Sequence, residues 1–97
     1  MKLSSLPLEI SNLKNLEELN LALTGLRSLP PEIGNLKNLK KLTVNSCHNL
    51  KSFPLSIGNL TNLEELDIGG TRIKTIPPEI LELEKKGCKI IRPYKMM

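Results

Sequence analysis

Aromatic side chains are almost missing from this chain: tryptophan is absent, and tyrosine and phenylalanine occur once each, as Tyr94 and Phe53. Tight protein interfaces are usually anchored by Trp, Tyr and Arg. Any binding surface built here therefore works without aromatic anchors. Histidine is also single, His48, and cysteine occurs only as Cys47 and Cys88. A metal site needs more ligands at workable spacing, and a disulfide framework needs more cysteines, so both thiols read as reduced. No apolar run approaches the ~18 residues of a membrane span, and the first residues lack the ~7 to 15 apolar residues of a signal peptide. The expected location is cytoplasmic, although export without a cleaved signal would leave no mark on the sequence. Catalytic equipment is equally sparse. Gly69-Gly70 lacks the lysine and spacing of a phosphate loop. The paired carboxylates Glu17-Glu18 and Glu64-Glu65 have lysines for neighbours in the repeat rather than an apolar pocket that would raise a pKa. We expect no enzyme activity, no cofactor and no metal.

What the chain has in abundance is itself. Leu6, Leu29, Phe53 and Ile76 lie 23, 24 and 23 residues apart, and each precedes a proline: Pro7, Pro30, Pro54 and Pro77. Ile10, Ile33, Ile57 and Ile80 keep the same register, as do Leu13, Leu36, Leu60 and Leu83. A period in the twenties, dense in leucine, means units that bury an apolar face only against their neighbours. With 97 residues there is material for one core. The chain is read as a single domain, 1–97, with a lead-in stub 1–5, repeats 6–28, 29–52 and 53–75, and a degenerate capping repeat 76–97.

Each period has a local grammar. Leu19 and Leu21, Leu42 and Val44, Leu66 and Ile68 alternate with polar residues, which is the period of a strand buried on one face. Between strands, apolar residues recur three apart, as in Ile33, Leu36 and Leu39, behind a proline that pre-sets φ. That spacing suits a short helical or 3₁₀ turn on the opposite side. Strands that return every 23 residues to the same side pair in parallel. The expected fold is an α/β solenoid: a short arc with a parallel concave sheet of about four strands, and 3₁₀ or short helical turns and loops on the convex side.

These residues resemble the leucine-rich repeat family. Its pattern L-x-x-L-x-L-x-x-N-x-L is followed by Leu16, Leu19, Leu21, Thr24 and Leu26, and again by Leu39, Leu42, Val44, Cys47 and Leu50. A third copy is Leu63, Leu66, Ile68, Thr71 and Ile73. The L-P-x-x-I-x-N-L stretch is similar to the roughly 23-residue subclass of bacterial and plant intracellular proteins. Thr24, Cys47 and Thr71 in place of asparagine are similar to plant immune-receptor repeats and to effectors that bacteria inject into host cells. The ending Glu84 to Pro93 resembles the terminal cap of some such bacterial proteins. The resemblance implies that Cys47 points inward, where a small thiol is comfortable. The extra residue between Leu26 and Leu50 then falls in Cys47-His48-Asn49, as a bulge at the rim.

Strand alternation writes out the face offered to a partner. Its rows are Glu18, Lys41 and Glu65; Asn20, Thr43 and Asp67; and Ala22, Asn45 and Gly69. A flanking row holds Glu17, Lys40 and Glu64. Acid, base and acid across strands ~4.8 Å apart give favourable but weak pairs. Ala22, Asn45 and Gly69, continued by Leu23, Ser46 and Gly70, form a strip that would admit an extended backbone. The first strand, with Leu16, Glu18, Asn20 and Ala22, has no strand before it, and open edges are templates for pairing. At the other end, Lys85 and Lys86 replace leucines, and removing one residue from the register makes Cys88 and Ile90 the inward pair.

Residues 85–97 carry five basic and no acidic residues, against nine basic and ten acidic in residues 1–84. Without a recognisable nucleic-acid module this end reads as a solubilising cap, so neither nucleic acid nor a membrane is the expected partner. The sequence thus points to a non-catalytic protein-interaction module. The alternatives are a homodimeric scaffold assembled through the first-strand edge and a recognition fragment of a larger effector or immune receptor.

Overall fold

A computed structural model describes residues 5–93. Most of the stub 1–5, and Tyr94 and Lys95 of the basic end, lie outside the described residues. Four strands, β1 (Glu18–Asn20), β2 (Lys41–Thr43), β3 (Glu65–Asp67) and β4 (Lys89–Ile91), form one parallel sheet in chain order. Turns of 3₁₀ helix at Leu8–Asn12, Pro31–Asn35 and Leu55–Asn59 and one α-helix, α1 (Pro78–Lys85), lie on the other side.

The three-residue apolar spacing has a direct backbone cause. Ile33 N–H donates to the Pro30 carbonyl (3.0 Å), Leu36 to Ile33 (3.2 Å) and Leu39 to Leu36 (3.0 Å). The same relay runs through Pro54, Ile57, Leu60 and Leu63. Each i→i+3 bond carries the chain one 3₁₀ turn and brings the next apolar side chain back to the core. Ile33, Leu36, Leu39, Ile57 and Leu60 are completely buried. Asparagines tie neighbouring repeats: Asn38 Nδ2 donates to the Lys14 carbonyl (2.8 Å) and Asn62 Nδ2 to the Lys37 carbonyl (2.7 Å).

Why the fourth turn is α and the others 3₁₀ follows from what packs on them. A Cβ at Gly34 would lie 2.7 Å from Ser56 Cβ, and one at Gly58 would lie 3.2 Å from Glu79 Cβ. Glycine is imposed where the next turn presses close, and Gly-Asn is a poor helical pair. In α1 those places hold Leu81 and Glu82, both strong helix formers. Leu81 is exposed, and among the described residues no further turn covers it. The α-helix results.

Inside the arc the strands contribute Leu42, Val44, Leu66 and Ile68, at most 1% exposed. Cys47 is fully buried: its thiol donates to the Leu21 carbonyl (3.0 Å), to which the Thr24 hydroxyl also donates (2.9 Å). Thr71 repeats the device on Ile68 (2.8 Å). The residues standing in for asparagine thus satisfy carbonyls at the strand ends, where an unpaired buried group is costly. The bulge is a turn closed by Leu50 N–H on the Cys47 carbonyl (3.1 Å).

The last strand corrects one expectation. Cys88 and Ile90 both point inward, 5% and 9% exposed, but Ile90 pairs with Leu66, an offset of 24. The register gains a residue over 23 rather than losing one. The extra length is taken up at the end of α1, where Gly87 adopts φ +109° and Cys88 N–H bonds the Leu83 carbonyl (3.0 Å). Arg92 follows two residues after Ile90, and its guanidinium grips Glu84 of α1 with two bonds of 2.7 and 2.8 Å. A bidentate ion pair thus fastens the segment after β4 to α1.

Candidate functional site

The strand register builds the outward face row by row. Glu18 stands beside Lys41, Lys41 beside Glu65, and Glu65 beside Lys89. Asn20, Thr43, Asp67 and Ile91 form the next row. Lys89 and Ile91 extend rows that the sequence pattern stopped at β3. Their signal was present in the chain, but the shifted register of the last repeat hid it.

A hollow of about 350 Å³ lies over this part of the sheet, lined by Glu18, Asn20, Lys41, Thr43 and Glu65 together with Leu19 and Leu42. The alternating charges beside it remain largely uncompensated by contact. Among the described residues the one ion pair in the neighbouring rows is Lys40 to Glu17, at 3.9 Å, with both side chains about half exposed or more. Such a pair is worth roughly 0 to 1 kcal/mol. The carboxylates and ammonium groups of the central row stay available to a ligand.

The middle row has a structural duty that alternation does not reveal. Asn20 Oδ1 accepts the Ala22 N–H (3.0 Å), Thr43 Oγ1 accepts Asn45 N–H (3.2 Å), and Asp67 Oδ1 accepts Gly69 N–H (3.0 Å). Each side chain caps its own strand two residues on, the local turn that Asn, Asp and Thr favour. The residue after each capped N–H turns left-handed: Leu23 at φ +62°, Ser46 at +63° and Gly70 at +71°.

The third row does not make an open strip. Asn45 Nδ2 reaches both Asp67 carboxylate oxygens (3.2 and 3.4 Å), and Ser46 Oγ donates to Asn45 Oδ1 (2.7 Å). Gly69 is buried beneath this network, where a Cβ would come within 3.0 Å of Asn45 Nδ2. Leu23, by contrast, projects 77% exposed. The recess sits over the Glu18 and Asn20 rows.

On the side of β1 away from β2, the apolar layer is less covered among the described residues. Ile10, Leu16 and Leu19 are half-buried, whereas their counterparts one repeat on, Ile33, Leu39 and Leu42, are at most 1% exposed. Leu13 is 50% exposed. Odd-numbered residues of this strand bond to β2, as Leu21 N–H does to Thr43 (2.9 Å) and Leu23 N–H to Asn45 (3.0 Å). By strand alternation the backbone groups of Glu18 and Asn20 face the open side.

Burial pushes the Cys88 thiol up to about 11, with Glu65 and Glu84 adding to the effect. At neutral pH it is a thiol with little nucleophilic character. Among the described residues no group of three His, Cys, Asp or Glu is placed to hold a metal ion, and no helix is long and apolar enough to cross a membrane.

Comparison with known proteins places this geometry. A family model described as a leucine-rich repeat region matches residues 1–85. Among solved structures, a leucine-rich repeat protein of Leptospira interrogans is 38% identical and superposes with a TM-score of 0.80, covering 94% of this chain. The leucine-rich repeat domain of the type III effector XopL is 28% identical, with a TM-score of 0.64 over 96% of this chain. The chain spans only 23% and 40% of those two chains. No curated protein matches.

Proposed function

The chain belongs to the leucine-rich repeat family, and from that premise we propose that it is a non-catalytic protein-interaction module whose ligand lies on the sheet face. The observation that carries this reading is the hollow over Glu18, Asn20, Lys41, Thr43 and Glu65, in which a rigid sheet holds charges of both signs without mutual contact. A rigid scaffold loses little conformational entropy on binding, which favours affinity without aromatic anchors. Ala22, Asn45, Asp67 and Gly69 continue the same sheet face beside the recess, with Asn45 tied to Asp67 by hydrogen bonds. A cytoplasmic setting agrees with two buried, unpaired cysteines.

The test uses immobilised wild-type protein and a variant carrying Lys41→Ala, Thr43→Ala and Glu65→Ala, with Lys37→Ala on the far side of the repeat as control. The proteins retained from a host extract should be lost with the triple variant and kept with the control. Retention of the same set by all three forms would remove the sheet face from consideration.

A second reading has its own observation. The half-buried layer of Ile10, Leu16 and Leu19 and the exposed Leu13 and Leu23 lie near a strand edge that has no partner among the described residues, which a second copy would cover by pairing β1 with β1 about a two-fold axis. Light scattering on dilution separates the readings, since self-pairing doubles the 10.8 kDa mass. Proline at Asn20 removes an N–H from the open side and also the side chain that caps Ala22, so Asn20→Ala is the control: an edge-paired dimer is abolished by proline and kept by alanine. A dimer that survives Asn20→Pro is not held by this edge.

A further inference from the structure

The rim at the carboxyl ends of the strands carries charge of one sign. After each strand the chain runs outward through segments 22–31, 45–56 and 69–78, whose charged residues are Arg27, Lys51, Arg72 and Lys74, with no acid among them. These three segments together carry four basic and no acidic residues, a local charge of +4.

The repeat stacks these cations. Arg27, Lys51 and Lys74 each follow the buried residue that closes the strand turn, Leu26, Leu50 and Ile73. Equivalent positions in successive repeats therefore bring them onto one rim. Two hollows result. One, of about 360 Å³, is lined by Lys51, Arg72, Lys74 and Thr75. The other, of about 230 Å³, is lined by Arg27, Asn49 and Lys51. Lys51 borders both hollows. All four cations are exposed, and among the described residues none of them forms an ion pair.

We propose that this rim binds an extended acidic peptide segment of a partner protein. Like charges gathered on one rim oppose one another, and a bound polyanion removes that penalty. Guanidinium groups at Arg27 and Arg72 match carboxylates through paired N–H bonds, while Asn49 and Thr75 offer neutral hydrogen bonds to a peptide backbone. Single-stranded nucleic acid is a poorer fit, because such sites stack bases on aromatic rings, and the rim's one aromatic, Phe53, is packed against the core. A bilayer is also a poorer fit: the cations line hollows, which receive projecting side chains rather than a plane of headgroups. The rim is a different surface from the sheet face and stands independently of the function proposed for it.

The experiment is fluorescence anisotropy with a labelled oligoglutamate peptide, on wild type and on the variant R27Q/K51Q/R72Q/K74Q, with K85Q/K86Q as a control that removes two cap cations. Wild type binds, more weakly as ionic strength rises and the Debye length shrinks. The rim variant binds about tenfold or more weakly, as expected for loss of complementary charge, and the cap control stays within about twofold. Absence of peptide binding by wild type, an unaffected rim variant, or equal loss in the cap control overturns the assignment. Oligothymidylate and phosphatidylserine vesicles are titrated at the same salt, and tighter binding of either also overturns it. Circular dichroism melting verifies the fold, and the separate pairs R27Q/K51Q and R72Q/K74Q replace the quadruple variant if it melts early.

Discussion

Replacing Leu23 should stabilise this protein, against the usual rule that removing a leucine destabilises. Leu23 sits at φ +62° in the left-handed region, where the Cβ of an L-residue meets its own backbone at a cost of ~1 to 2 kcal/mol. The fold holds it there because the strand must turn into the rim: Asn20 caps Ala22 (3.0 Å) and Leu23 N–H bonds Asn45 (3.0 Å). The side chain gives little back, being 77% exposed. Its counterpart two repeats on is Gly70, at φ +71°. Leu23→Gly relieves the strain but loosens the unfolded chain by ~0.4 to 1 kcal/mol, for a net gain of ~0 to 1.6 kcal/mol. Leu23→Asn tolerates the same φ without the full glycine entropy cost and should gain ~1 kcal/mol. For a domain of this size that is about 4 to 8 °C in melting temperature. Thermal and urea melts followed by circular dichroism measure it. A lower melting temperature for both variants would mean that Leu23 is held by contacts or is not left-handed, and the reasoning would fail. Gly70→Ala is the mirror experiment, since its Cβ would lie 3.0 Å from Ser46 Cα; it should cost ~1 to 3 kcal/mol.

Other outcomes follow from single side chains. Leu42→Ala opens the middle of the core, where Leu42 is 1% exposed, and should lower stability by ~2 to 5 kcal/mol in urea melts; an unchanged midpoint would contradict the inward register. Arg92 holds the Glu84 carboxyl below its ordinary value of 4.5, chiefly through its hydrogen bonds. A depressed carboxylate stabilises above its unfolded pKa and loses that contribution as pH falls through the folded one. The melting-temperature gap between wild type and Arg92→Gln should therefore be widest near neutrality and narrow in acid; a gap independent of pH would deny the pair its electrostatic role. Cys88 titrates at about 11 in the fold against an ordinary 9.0, so stability should decline as pH rises through that window, less steeply in Cys88→Ala. A thiol-labelling reagent at pH 7 should reach Cys47 and Cys88 only on unfolding, and rapid labelling of the native protein would contradict their burial.

The scaffold was legible in the chain alone. Proline, isoleucine and leucine at fixed offsets dictated the i→i+3 relay, and the alternation at Leu42 and Val44 dictated an inward face, because burial of apolar side chains at a fixed period leaves one register. The candidate rows Glu18–Lys41–Glu65 and Asn20–Thr43–Asp67 were legible for the same reason, as the complement of the buried positions. Tertiary structure decided what periodicity does not encode. Whether Ala22, Asn45 and Gly69 form a groove depended on Asn45 reaching Asp67 across 3.2 Å, a contact between repeats rather than within one. The offset of 24 at β4 depended on how α1 ends at Gly87 and how Arg92 closes on Glu84, and it brought Lys89 and Ile91 into the sheet face. The basic rim combined the two. Its residues recur at one place in the repeat and were readable in the chain, but only stacking set Lys51 between two hollows shared with Arg27 and Lys74. Local pattern selects which side chains are inward, since that is a property of one strand. What the outward ones do together depends on distances between strands, which only the packed repeats set.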